Sequence, residues 1–209
     1  METLARDRRD RVFLELGRTL AAAGVTPRGV LHVGANVGQE LEAYLAAGFR
    51  SAVLVEPMAA AAAAARREAD RLGWDAVTVI EAAVGTRPGS VTLHVADDPR
   101  GEMSSTLQPQ FRRSRVRFQP LKVEQVRLDT IDVDGVNVLV LDVQGSEADV
   151  LRSGPLDGFD AVVVEVRRTP AYVGQAAPAE VATILADNRF TQVLEVEHRT
   201  IADQVWVRT

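Results

Sequence analysis

Residues 30–39, Val30-Leu31-His32-Val33-Gly34-Ala35-Asn36-Val37-Gly38-Gln39, decide how the rest of the chain is read. Val30, Leu31 and Val33 form a short apolar run of the kind a buried parallel strand carries. Gly34 and Gly38 punctuate a turn, and Leu41, Tyr44 and Leu45 then recur at helical spacing with Gln39, Glu40 and Glu42 between them. Strand, glycine turn and helix is how an open α/β sheet presents a nucleotide site. Glycine lets the backbone approach a ligand, and the helix N-terminus offers unpaired N–H groups. A second apolar run, Ala52-Val53-Leu54-Val55, ends in Glu56-Pro57, 22 residues after Gly34. An acidic side chain at that strand tip is placed to accept hydrogen bonds from both hydroxyls of a ribose.

Composition bounds the remaining classes. A chain of 209 residues with 46% apolar and 25% charged residues suits one soluble domain with a sizeable core. No apolar run reaches membrane-spanning length, and the charged N-terminus lacks the apolar core of a signal peptide. The chain has no cysteine, which removes disulfides, thiolate metal sites and cysteine nucleophiles, and a cytoplasmic protein is the expectation. A net charge of −5 gives no global field for nucleic acid or an anionic membrane, so neither partner is expected.

Outward from the opening motif, residues 3–23 read as an amphipathic helix with Val12, Phe13, Leu16 and Leu20 on one stripe. Residues 58–72 read as a helix beginning after Pro57 and ending near Gly73. Val77–Ile80 is the expected third strand, and residues 90–95 and 116–126 read as extended. Between them, residues 96–117 are polar and rich in turn formers, with Ser104, Ser105, Thr106, Arg112, Arg113, Arg115 and Arg117; a mobile lid over a second substrate is expected there. Residues 136–141 form the most apolar run and end in Asp142-Val143-Gln144-Gly145-Ser146-Glu147, with Ser146 as the N-cap of a helix and Asp149 in the capping-box position. Residues 161–164 read as another buried strand ending in Glu165, and residues 190–196 and 201–207 as a closing hairpin. Strands alternating with helices argue for a doubly wound α/β sheet in a single domain, with residues 1–29 as a helix and turn packed on a body of residues 30–209. In such a sheet the polar strand tips at residues 34–36, Glu56, Asp142 and Glu165 border one crevice.

The sequence resembles the FkbM-type family of S-adenosylmethionine-dependent methyltransferases. The likeness runs from about residue 30 to the C-terminus and rests on LHVGANVGQE, VLVEP, AAVG, MSSTL, RLDTID and LDVQGSEADVL in order, then Glu165, Tyr172 and Gly174. It implies a mostly parallel seven-stranded sheet of the class I, Rossmann-like kind with a C-terminal antiparallel hairpin and an extra N-terminal helix. It also implies that residues 30–209 bind S-adenosyl-L-methionine. By the resemblance Gly34, Ala35, Asn36 and Gly38 border the cofactor, Glu56 with Pro57 holds the ribose, Ala82 and Ala83 lie beside adenine, and Asp142 and Gln144 sit near the sulfonium. The acceptor it implies is a small molecule with a hydroxyl group, a sugar or a specialised metabolite, methylated on oxygen. His32 stands where many members of the family carry aspartate.

Asp142, Glu165 and His32 are the catalytic candidates, and Ser104, Ser105, Glu147 and Tyr172 the acceptor candidates. A hydroxyl acceptor benefits from a general base, and carboxylates suit a sulfonium charge. The same carboxylates could hold a divalent metal, so no metal residue is assigned; Glu147 could equally face solvent on its helix. A nicotinamide-dependent oxidoreductase is the first rival, but Gln39 follows Gly38 where its fingerprint needs a third glycine. A non-catalytic nucleotide-binding module is the second. The oligomeric state stays open, a homodimer among the options.

Overall fold

The computed structural model describes residues 11–98, 102–110 and 116–209. The first helix, α1, is Arg11–Ala22, and the part of its expected span before residue 11 lies outside the described residues. There follow β1 (Gly29–Val33), α2 (Leu41–Ala47), β2 (Ser51–Val55), α3 (Ala59–Leu72) and β3 (Val77–Ile80). After β4 (Ala83–Val84), β5 (Gly89–Ala96) and β6 (Phe118–Val126) the chain returns to the main sheet. It continues through β7 (Val138–Leu141), α4 (Glu147–Leu151), β8 (Ala161–Arg167), α5 (Pro178–Asp187), β9 (Phe190–His198) and β10 (Ile201–Arg208).

The main sheet has seven strands in the order β3-β2-β1-β7-β8-β10-β9. Its first five are parallel and β10 runs antiparallel to both β8 and β9, so the doubly wound sheet and the closing hairpin are both present. Strand alternation sorts the apolar residues onto two faces. Leu31, Val33, Leu139, Leu141, Val162 and Val164 pack with Val150, Leu151, Val181 and Leu185 of α4 and α5. Val30, Leu54, Val138, Val140 and Val163 pack with Leu16 and Leu20 of α1, Leu41 and Tyr44 of α2, and Ala65 and Ala69 of α3. The buried alanines of α3 let that helix lie close to the sheet.

Two local expectations need correction. Leu45 is exposed rather than on the buried stripe, because α2 is only 7 residues long and turns Leu41 and Tyr44 inward. Glu165 does not end its strand: β8 runs on to Arg167 because β10 supplies a pairing edge, Asp203 opposite Glu165. The residues read as extended around 90 and 120 are strands, and they belong to a separate three-stranded sheet in the order β4-β6-β5. Among the described residues no helix is long and apolar enough to cross a membrane.

Candidate active site

Register alone builds the floor of the site. Val55, Val33, Leu141 and Val164 are level across β2, β1, β7 and β8, so the next residue of each strand, Glu56, Gly34, Asp142 and Glu165, stands in one row. That is the crevice expected at the carboxyl ends of an open parallel sheet.

The glycine turn closes tightly on the protein itself. Gly34, Asn36 and Gly38 all have positive φ (88°, 47° and 76°), and the N–H groups of Gly34 and Ala35 both donate to Val55 O. A Cβ on Gly34 would come 2.8 Å from the carbonyl carbon of Asp142, and one on Gly38 would meet Leu41 and Ala65 at 3.1–3.3 Å. Both glycines are therefore required first by the packing of β1 against β7 and of the turn against α3. The turn also gives the Asn36 N–H to Glu56. Glu56 is 4% exposed; its Oε2 accepts the Asn36 N–H at 2.9 Å and its Oε1 the Met58 N–H at 2.9 Å, with half-buried Pro57 between. Burial raises its carboxyl to about 7 against the opposing pull of those two hydrogen bonds.

Past β7 the chain turns at Gln144 (φ 53°) and Gly145 (φ 107°). The Gln144 carboxamide donates to Asp142 Oδ1 at 2.6 Å and to Glu165 Oε1 at 3.0 Å, and its oxygen accepts from Arg167 Nη2 at 3.1 Å. Glu147 does not face solvent: it is 5% exposed and its Oε1 accepts the Gly145 N–H at 2.9 Å. Burial first, and the charge of Asp142 further down, push its carboxyl up to about 7. Ser146 holds the N-cap position of α4 without capping it, because its hydroxyl bonds Thr106 Oγ1 at 2.8 Å; Asp149 is exposed, and no capping box forms.

The described part of the long polar segment is stitched down. Ser105 Oγ donates to Gln144 O at 2.8 Å, and Ser105 pairs with His94 across an isolated bridge. Ser104 Oγ accepts the Ala96 N–H, the Tyr172 hydroxyl donates to Met103 O at 2.9 Å, and Pro109 bridges to Tyr172. Of the two hydroxyls expected to meet an acceptor, that of buried Ser105 donates inside the protein, while half-buried Ser104 accepts a main-chain N–H. Tyr172 is buried at the same seam, roofing Gly145, where a Cβ would stand 3.0 Å from its ring. Arg112, Arg113 and Arg115 lie outside the described residues, and Arg117 is exposed.

His32 does not join the row. It sits two residues below Gly34, 2% exposed, with Nδ1 2.9 Å from the Tyr44 hydroxyl and its ring stacked on Phe13 at 6.3 Å. Burial lowers its pKa to about 3, so the ring is neutral, and Nε2 has no hydrogen-bond partner among the described residues. Ala82 and Ala83 are buried too, Ala82 in the α4–α5 face of the core and Ala83 paired with Gln125. The sequence reading missed Arg167 and Asp203, both of which flank Glu165. Only pairing across the β8–β10 edge reveals Asp203; Arg167, two residues beyond Glu165, was hidden by ending the strand too early. Among the described residues no group of three His, Asp or Glu side chains is arranged to hold a metal ion.

The fold that carries these residues has known relatives. No curated protein sequence matches the chain. Its structure is similar to a methyltransferase FkbM from Methylobacillus flagellatus KT, with TM-score 0.59 and 13% identity over 85% of this chain and 43% of that one. The chain thus spans less than half the length of that relative. It is also similar to the magnesium protoporphyrin IX methyltransferase of Synechocystis PCC 6803 with bound SAM (TM-score 0.59, 15% identity, 98% of this chain and 81% of that one). A ribosomal protein L11 methylase from Lactobacillus delbrueckii subsp. bulgaricus follows (TM-score 0.55, 14% identity, 96% and 79%). Residues 32–191 match the Methyltransferase FkbM domain, and the chain belongs to that family.

Proposed function

We propose that this member of the FkbM methyltransferase family binds S-adenosylmethionine and methylates a hydroxyl oxygen of a small molecule, a sugar or specialised metabolite in class. The observation that carries the reading is Glu56, a buried carboxylate fixed at the β2 tip by two main-chain N–H groups beside a glycine turn. Each of its oxygens retains a second lone pair, which fits the two hydroxyls of a ribose. The row of acids supports the same cofactor. Asp142 and Glu165, with Asp203 paired across the edge, make a negative wall suited to a sulfonium.

When bound, S-adenosylmethionine supplies the methyl group together with its own leaving group. The protein's part is then alignment and proton removal. Orientation of this kind can lower a barrier by about 7–11 kcal/mol. Asp142 and Glu165, level on adjacent strands, are the groups assigned to take the proton of the acceptor hydroxyl.

Calorimetry with S-adenosylmethionine, S-adenosylhomocysteine and NAD tests the cofactor, with the first two expected to bind. Methyl transfer from labelled S-adenosylmethionine to a panel of sugars and phenols, with and without EDTA, then tests the acceptor class. Binding of NAD alone would overturn the reading.

A further inference from the structure

Gln144 is held as few glutamines are. Its backbone occupies the left-handed region at φ 53°, which a long side chain adopts rarely. Its carbonyl oxygen is fixed by Ser105 Oγ at 2.8 Å. Its side chain is buried, and three of the carboxamide's four hydrogen-bonding positions are filled at 3.1 Å or less: both N–H groups by carboxylates, the oxygen by a guanidinium. The Tyr172 hydroxyl stands 3.4 Å from the fourth. The partners also fix which end is nitrogen, since the reverse would turn a carbonyl oxygen on two carboxylates.

Asp142 and Glu165 stand side by side on β7 and β8. Two bare carboxylates at that spacing would repel. A single NH₂ donating to both offsets that repulsion, because its two positive hydrogens lie between them. An ordinary core glutamine has no need of such partners, and the strained backbone adds a standing penalty to keeping it there. We propose that Gln144 is a positioning residue, whose carboxamide clamps Asp142 and Glu165 as a fixed pair of acceptors and ties their orientation to the 102–110 segment through Ser105. The clamp presents both negative charges to the positive centre of the methyl donor, and to that extent rests on the proposed function.

Two measurements separate the clamp from that function. In full-length protein labelled with ¹⁵N-glutamine, the Gln144 side-chain amide, assigned by its loss in Gln144→Leu, should give two widely split, slowly exchanging protons. Asp142→Asn should move one of them and Glu165→Gln the other. Water-like exchange rates, or protons that ignore both variants, would overturn the clamp. The second measurement compares the sulfonium cofactor with its neutral product. Gln144→Asn tolerates the left-handed backbone but is one methylene too short to bridge both acids. It should bind S-adenosylhomocysteine about as the wild type does, yet lose about tenfold in affinity for S-adenosylmethionine, the scale of one hydrogen bond to a charged group. Equal losses for both ligands would mean a merely structural glutamine and overturn the proposal. If neither compound binds the wild type, the proposed function falls, while the amide spectrum still decides the clamp.

Discussion

Gly34 and Asp142 meet main chain to main chain: a Cβ on Gly34 would lie 2.8 Å from the carbonyl carbon of Asp142 and nearer still to its oxygen. The glycine that opens the turn after β1 is thus what lets β1 and β7 close side by side.

Gly34→Ala should therefore be among the most damaging single changes in the chain. The new methyl meets backbone that cannot move without parting two central strands, and the residue's φ of 88° is itself unfavourable. A loss above about 4 kcal/mol is expected, with failure to fold as the extreme. Gly48→Ala is the control: its φ is 92° but nothing lies within 4 Å of the added carbon. That variant should lose only about 1–2 kcal/mol. Urea titration of the two proteins decides it, and similar losses would refute the packing argument.

Glu56→Ala should weaken binding of S-adenosylhomocysteine by about 1.5–3 kcal/mol while the protein stays folded. Burial pushes the free carboxyl up to about 7, and only its ionised form keeps an acceptor position on each oxygen for the two ribose hydroxyls. Binding to the wild type should then release protons near pH 7 and weaken as pH falls below it. Calorimetry in buffers of differing ionisation enthalpy reads this directly; affinity independent of both pH and the substitution would remove Glu56 from the ribose.

The pH dependence of stability follows from Glu147. Its folded value, about 7, lies above the ordinary 4.5, so the fold prefers the protonated form. That stability is fully present below pH 4.5 and lost as pH rises through 7. Glu147→Gln stays neutral and keeps an oxygen for the Gly145 N–H. Its melting temperature should match the wild type at pH 5 and exceed it at pH 8, by up to about 3 kcal/mol of stability. Parallel melting curves at both pH values would contradict the assignment.

His32 and Tyr44 should behave as core and not as catalyst. Tyr44→Phe removes the partner of His32 Nδ1 and leaves a second ring nitrogen unpaired. The expected loss is about 1–3 kcal/mol of stability with unchanged cofactor affinity. The imidazole, with its pKa near 3, should remain neutral from pH 5 to 8 in ¹⁵N spectra. A titration within that range would reopen a chemical role for it.

The sequence by itself determined the sheet and its order of elements. Apolar runs such as residues 52–55 and 138–141 admit only a buried strand, and the turn at Gly34, the acid at Glu56 and the polar tip at Asp142 follow from where those runs stop. The motifs shared with the FkbM family carry the identity of the cofactor. Tertiary structure decided what each polar side chain does there. Sequence shows that Ser104 and Ser105 carry hydroxyls able to serve an acceptor; only the fold shows that Ser104 also accepts the Ala96 N–H and that buried Ser105 donates to Gln144 O. Sequence left Glu147 between an acceptor contact, a metal ligand and a solvent-facing side chain; the fold buries it and sets the Gly145 N–H on its carboxylate. Asp203 comes beside Glu165, and Gln144 beside two acids, only through strand pairing and a left-handed turn. Periodicity carries the face a residue occupies, because that is local geometry; the partner it meets depends on chain brought from 20 to 40 residues away, which local pattern does not encode.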